Sequence, residues 1–214
     1  MRRAFSMLEL ILALILFGII VLALPPLYII LSSQSQEVLK NEATDQAFHT
    51  ITTIFSYPWD EKSKSNETNF SLILDTQGDS ELARFDHSRF RRASFGQKAS
   101  RKFFANETNA STVLGKEGDL YNDIDDFNGA QEQITKAKGD ILLEMNLTTH
   151  VQYLSDNANY GFSSLFFAPS LSSAPLSTNI KLIETQVRSS GDTIVVLRAF
   201  SCNVGEPHIL SKAL

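Results

Sequence analysis

The chain is poor in the features that usually announce chemistry. It holds a single cysteine, Cys202, so no intramolecular disulfide is available. That residue falls in the run Ile194 to Asn203, which reads as a strand, and is expected to be buried there as a small hydrophobe, the alternative being a thiol for intermolecular pairing. The histidines His49, His87, His150 and His208 are scattered, with no metal-ligand spacing. There is no glycine-rich phosphate loop, no Ser-His-Asp pattern and no Cys/His metal motif, and the expectation is of a protein that is not an enzyme. A catalytic set that assembles only in space would leave no such trace. No repeat of solenoid length is visible. Positive charge is also short: 19 Lys and Arg stand against 24 Asp and Glu, a net charge of -5. That balance argues against general nucleic-acid binding, though not against a local basic patch.

What is present is one long apolar run, Leu10 to Leu31, without a charged residue. As a helix of 22 residues it reaches roughly 33 Å, about the hydrocarbon thickness of a bilayer. A secretory signal needs a small-residue cleavage site after its apolar region, and Pro25-Pro26-Leu27-Tyr28 is a poor one. An ordinary single-pass anchor explains Arg2 and Arg3 as positive charges holding the amino end in the cytoplasm. It does not explain Glu9, a carboxylate at the membrane boundary, where charge is costly and usually functional.

The segment Arg2-Arg3-Ala4-Phe5-Ser6-Met7-Leu8-Glu9-Leu10 resembles the prepilin motif of type IV pilins and type II secretion pseudopilins. In that family a prepilin peptidase cuts before a Phe, methylates the new amino group and leaves a Glu as the fifth residue. Cutting between Ala4 and Phe5 makes Phe5 the methylated residue and Glu9 the fifth. Gly18, Pro26 and Tyr28 then also fall where the family commonly has Gly, Pro and Tyr. Ala4 stands where the family usually has Gly. The resemblance implies that Glu9 pairs with the first amino group of a neighbouring subunit, so that an ion pair relieves the cost of its charge. It implies that Gly18 and Pro26 serve subunit assembly, with the Pro region letting the helix stretch. The implied partners are the peptidase, other pilin or pseudopilin subunits, an inner-membrane assembly platform and membrane lipid. The implied setting is the bacterial inner membrane, with the amino end cytoplasmic and the head periplasmic, and then a filament serving adhesion, motility, DNA uptake (transformation) or secretion. A tethered periplasmic binding or sensor domain that never polymerises is the alternative.

The expected organisation is a leader at residues 1–4, a transmembrane and polymerisation helix at 5–31, an amphipathic helix at 32–56 and a β-rich head at 57–214. Pro25 and Pro26 should kink or locally melt the helix. Beyond them Leu39, Ala43, Ala47 and Ile51 recur every four residues, opposite Glu37, Lys40, Asn41, Gln46 and Thr53. Tyr57-Pro58-Trp59-Asp60 ends the helix. Phe70 to Asp75 and Ile141 to Leu147 read as strands, and Gly161 to Ser177 as a long loop. Ile180 to Arg188 and Thr193 to Asn203, separated by Ser189-Ser190-Gly191-Asp192, read as a hairpin. The expected fold is α+β, a long helix packed on an antiparallel sheet. The hairpin and the run Asp119 to Gly129 are similar to minor pilins of the mannose-sensitive haemagglutinin type.

Three patches carry possible chemistry. Asp119, Asp123, Asp125 and Asp126 offer oxygen ligands that would suit Ca²⁺, or they cap local backbone groups in a turn-rich loop. Arg89, Arg91, Arg92, Arg101 and Lys102 are interleaved with phenylalanines, a pattern that would suit single-stranded DNA, or they are a solvated segment whose Phe residues pack inward. Asn69 and Asn109 lie in Asn-x-Ser/Thr sites with Glu67 and Glu107 two residues earlier, and are candidates for glycosylation.

Overall fold

The computed structural model describes residues 7–64, 71–78, 90–92, 102–138, 141–155 and 170–203. The leader, Phe5, Asn69, Arg89 and Arg101 lie outside them.

Helix α1 runs unbroken from Met7 to Ile54 with Pro25 and Pro26 inside it. The local melting expected at the prolines is therefore corrected, since the helical course continues through them. Each proline forfeits one hydrogen bond on the preceding turn, but neighbouring bonds on both sides keep the helical course. As the expected fold had it, the apolar and amphipathic segments are two halves of one long helix. Its first half exposes apolar side chains continuously, from Leu8 and Leu10 to Ile29 and Ile30. Among the described residues this is the one helix long and apolar enough to cross a membrane. Its second half buries the expected stripe: Ala43, Ala47 and Ile51 are buried and Leu39 is partly covered, with Ile54 added.

Strands β4 (Gln131–Lys138), β5 (Ile141–Tyr153), β6 (Ile180–Ser189) and β7 (Asp192–Cys202) form an antiparallel sheet in that order. The β6–β7 turn places Ser190 at φ 51° and Gly191 at φ 91°, the paired left-handed conformation of a two-residue hairpin. Because side chains alternate, one face carries Leu143, Met145, Leu147, Val151, Ile183 and Val187, and α1 lies on it. Ala43 and Ala47, lacking bulk, let the helix approach this face closely. Lys136 of β4 reaches Glu42 of α1 at 2.6 Å.

The same alternation corrects the expectation for Cys202. It is exposed, on the face away from α1 with Arg198 and Phe200. Period two, not strand membership alone, decides its burial.

Strands β1 (Ile73–Asp75), β2 (Phe90–Arg92) and β3 (Lys102–Asn109) form a second small sheet in the order β1-β3-β2. Here β1 pairs with β3 in parallel, so the head is not wholly antiparallel. Asn203, just past β7, ties the two sheets together: its side chain accepts from the Leu74 amide at 3.1 Å and donates to the Leu74 carbonyl at 2.7 Å.

Candidate functional site: a lysine buried among carboxylates

Past Ile54 the chain turns through Tyr57-Pro58-Trp59-Asp60 and folds over the end of the helix-facing sheet surface. Lys181 belongs to that surface by register, two residues before Ile183 on β6 and opposite Tyr153 on β5. An apolar residue would be expected there, yet the lysine is wholly buried. Its Nζ donates to Asp125 Oδ1 at 2.5 Å and to the Trp59 carbonyl at 2.6 Å, and lies 4.0 Å from Asp60 Oδ2. The Trp59 and Tyr153 rings flank Nζ, their centroids 4.2 and 5.5 Å away.

Asp60, Asp123 and Asp125 are all buried, and one oxygen of each lies within 4.8 Å of the others. Asp60 accepts from the backbone N–H of Lys62 at 3.0 Å and of Ser111 at 2.8 Å. Asp123 accepts from the N–H of Glu61 at 2.7 Å and of Asp126 at 3.1 Å. Asp125 sits in a short 3-10 turn, Asp125–Phe127, and its second oxygen, Oδ2, is buried without an N–H or hydroxyl donor. Three carboxylates thus face one ammonium, and burial of uncompensated charge is resisted. Burial, followed by the charge of Asp125, raises the Asp123 carboxyl from 3.8 to about 7. Burial likewise pushes Asp125 upward, against the pull of Lys181. The Tyr153 hydroxyl, raised by burial and the nearby carboxylates, stays protonated and donates to the Ser111 carbonyl at 2.6 Å.

The acidic set read from sequence is split. Asp123 and Asp125 enter the cluster. Asp126 is buried but turns to accept from the Asn122 N–H at 2.6 Å, and Asp119 is exposed. Much of the set caps local backbone, as its alternative reading had it. Around Asp125, Lys181 already supplies the positive charge that a divalent ion would bring, and Asp125 Oδ2 is the one oxygen of the three carboxylates without such a donor. Lys181 and Tyr153 were not singled out in the sequence, and Trp59 and Asp60 only as part of the helix stop. The available signal was Lys181 at an inward register of an otherwise apolar run, Ile180-Lys181-Leu182-Ile183.

The remaining candidates do not converge here. Glu9 lies in the first turn of α1, and Gly18 and Pro26 further along it. A methyl group added at Gly18 would meet nothing within 4 Å. Arg91 and Arg92 lie on β2 with Arg92 opposite Lys102 of β3, so the backbone brings these basic positions side by side. Asn109 is exposed at the end of β3. Ser111, the third residue of the Asn-x-Ser triplet that begins at Asn109, is buried: its N–H goes to Asp60, and its hydroxyl is 3.3 Å from the Lys62 ammonium. No protein-family model, no curated protein and no solved structure matches the chain.

Proposed function

We propose that the protein is a pilin-like structural subunit, a minor pilin or pseudopilin, held in the bacterial inner membrane by α1, cut before Phe5 and built into a filament through its apolar helix. The observation that carries this reading is the shape of α1. One helix of 48 residues joins an exposed apolar half to a half seated on an antiparallel sheet. A tethered domain needs the first half to cross the bilayer, but it does not need the helix to continue rigidly into the core of the head. Filament packing needs both, because the same rod must dock laterally and carry the head. Gly18 adds support. Its missing side chain answers no crowding within the chain, and a small residue on an exposed apolar helix suits close approach by another helix. Glu9 at the start of that helix is the carboxylate that would meet a neighbour's methylated Phe5 amine.

Co-expression with a prepilin peptidase tests the proposal. The expected product begins at Phe5 and carries one methyl group on its amino nitrogen, read by N-terminal sequencing and intact mass. An uncut chain, under conditions where sibling prepilins mature, would leave a tethered domain that does not polymerise.

A further inference from the structure

We infer that Lys181 and Asp125 become joined by an intramolecular amide bond, Nζ to Cγ, with release of one water. The contact itself is the first argument. Nζ stands 2.5 Å from Asp125 Oδ1, inside the roughly 2.7–2.9 Å of an ordinary ammonium–carboxylate hydrogen bond. The carbon to be attacked lies at most one C–O bond further, close to the reacting separation of about 3–3.5 Å that defines a near-attack geometry. Both side chains are fully buried, which fixes them and keeps bulk water from competing.

The surrounding groups supply what the condensation needs. Asp125 Oδ1, at 2.5 Å, is the carboxylate oxygen within hydrogen-bond reach of the ammonium and is placed to take its first proton, while Asp60 stands 4.0 Å from Nζ. Asp123, one of whose oxygens lies within 4.8 Å of one of Asp125's, is raised by burial to about 7 and so holds, through mildly acidic pH, a proton that it can give to the departing oxygen. Asp125 Oδ2, buried and otherwise without a donor, is the oxygen free to leave. The Trp59 carbonyl and the two rings hold Nζ in place from the other side.

The step balances without an outside reagent. Asp125 Oδ1 takes the first proton from the ammonium, which makes the carboxyl electrophilic, and the neutral amine attacks Asp125 Cγ, forming the C–N bond. Asp123 protonates Oδ2, and the second amine proton passes to the vacated Asp123 carboxylate. The C–O bond breaks and Oδ2 leaves as water, carrying the Asp123 proton and the one first taken by Oδ1, which stays as the amide oxygen. Asp60 and Asp123 end as they began, and nitrogen keeps one hydrogen. Two buried opposite charges become one neutral amide, which removes the cost of keeping them from water. The link would fasten the segment that closes the end of α1 directly to β6. In a subunit whose head hangs from a single helix, it would resist unfolding under load. The argument does not depend on the pilin proposal.

Intact-mass spectrometry of the purified full-length protein, denatured before measurement, tests this directly. The expected mass is one water below that of the chain, whether or not the leader has been removed. Protease digestion should give one branched peptide carrying both residue 125 and residue 181. A succinimide also loses water, so the branched peptide decides between the two. Lys181→Arg and Asp125→Ala should restore the full mass. Asp125→Asn should form the same amide with loss of ammonia, a change that no purely structural role would produce. Asp123→Ala should leave most of the protein unlinked. A wild-type chain of full mass, with both residues found only in separate linear peptides, overturns the inference, and this reading needs no variant to fold.

Discussion

At the scale of single residues, Asp123 ties the buried cluster to pH. Its carboxyl is neutral in the folded protein up to about 7, whereas an unfolded chain ionises it near 3.8. Between those values the native state holds the extra proton, so stability falls as pH rises. The stabilisation is complete below 3.8 and is lost as pH passes about 7. Burial, the largest cause, acts whether or not Asp125 is joined to Lys181. The melting temperature of the detergent-solubilised protein should therefore be higher at pH 5 than at pH 8. Asp123→Asn should lower it overall but flatten that slope; an unchanged slope would show that Asp123 is not the titrating group. None of this was legible residue by residue. Asp123 and Asp125 stood out in sequence as part of a loop cluster, but their partners Asp60 and Lys181 lie more than fifty residues away on either side. Only the folding-over of Trp59-Asp60 and the register of β6 bring them together. Lone charges in a sequence carry no sign of such pairing.

At the scale of elements, period decided what could be read. The stripe Leu39, Ala43, Ala47 and Ile51 was legible because it repeats at the spacing of a helix, and the β6–β7 hairpin because Ser189-Ser190-Gly191-Asp192 marks a turn between two β-prone runs. Strand β4 was missed because Gln131–Lys138 is a polar edge in which Ile134 is the one buried residue among those described. Strand β5 was cut short at Leu147 because Thr148, His150 and Gln152 interrupt the apolar composition while keeping the alternation. The unbroken course of α1 through Pro25 and Pro26 shows that proline lowers the helical preference of a segment without dictating a break. The seating of α1 gives a paired prediction. Ala47 is fully buried against the sheet, so Ala47→Leu should overpack the contact and cost about 1–3 kcal/mol in chemical denaturation. Phe48, one residue on, is 66% exposed, and Phe48→Ala should change stability by no more than about 0.5 kcal/mol. Equal losses at the two sites would mean that the helix is rotated from the face described.

At the scale of the whole molecule, the chain is polarised along α1. The apolar exposed half lies at one end; Ser35 and Leu39 meet Leu143 and the β6–β7 turn at Ser189 and Ser190 near the middle; the lysine–carboxylate cluster lies past Ile54 at the other end. From Ile30 to Ile54 the helix advances about 36 Å at 1.5 Å per residue, so the cluster sits well clear of any bilayer that receives the apolar half. The protein carries its own reporter of this arrangement, since its one tryptophan, Trp59, belongs to the cluster. In nanodiscs whose lipids carry a quencher on the acyl chain, Trp59 fluorescence should match that in quencher-free discs. A Phe17→Trp substitution, on an exposed apolar turn of α1, should add emission that the same lipids quench strongly. Quenching at Phe17→Trp with none at Trp59 fixes an upright head beyond the headgroups. Quenching at both would mean that the head lies down on the membrane, and quenching at neither that α1 does not enter it. The upright arrangement would leave the apolar half of α1 in the bilayer while the lysine–carboxylate end of the head stays in water.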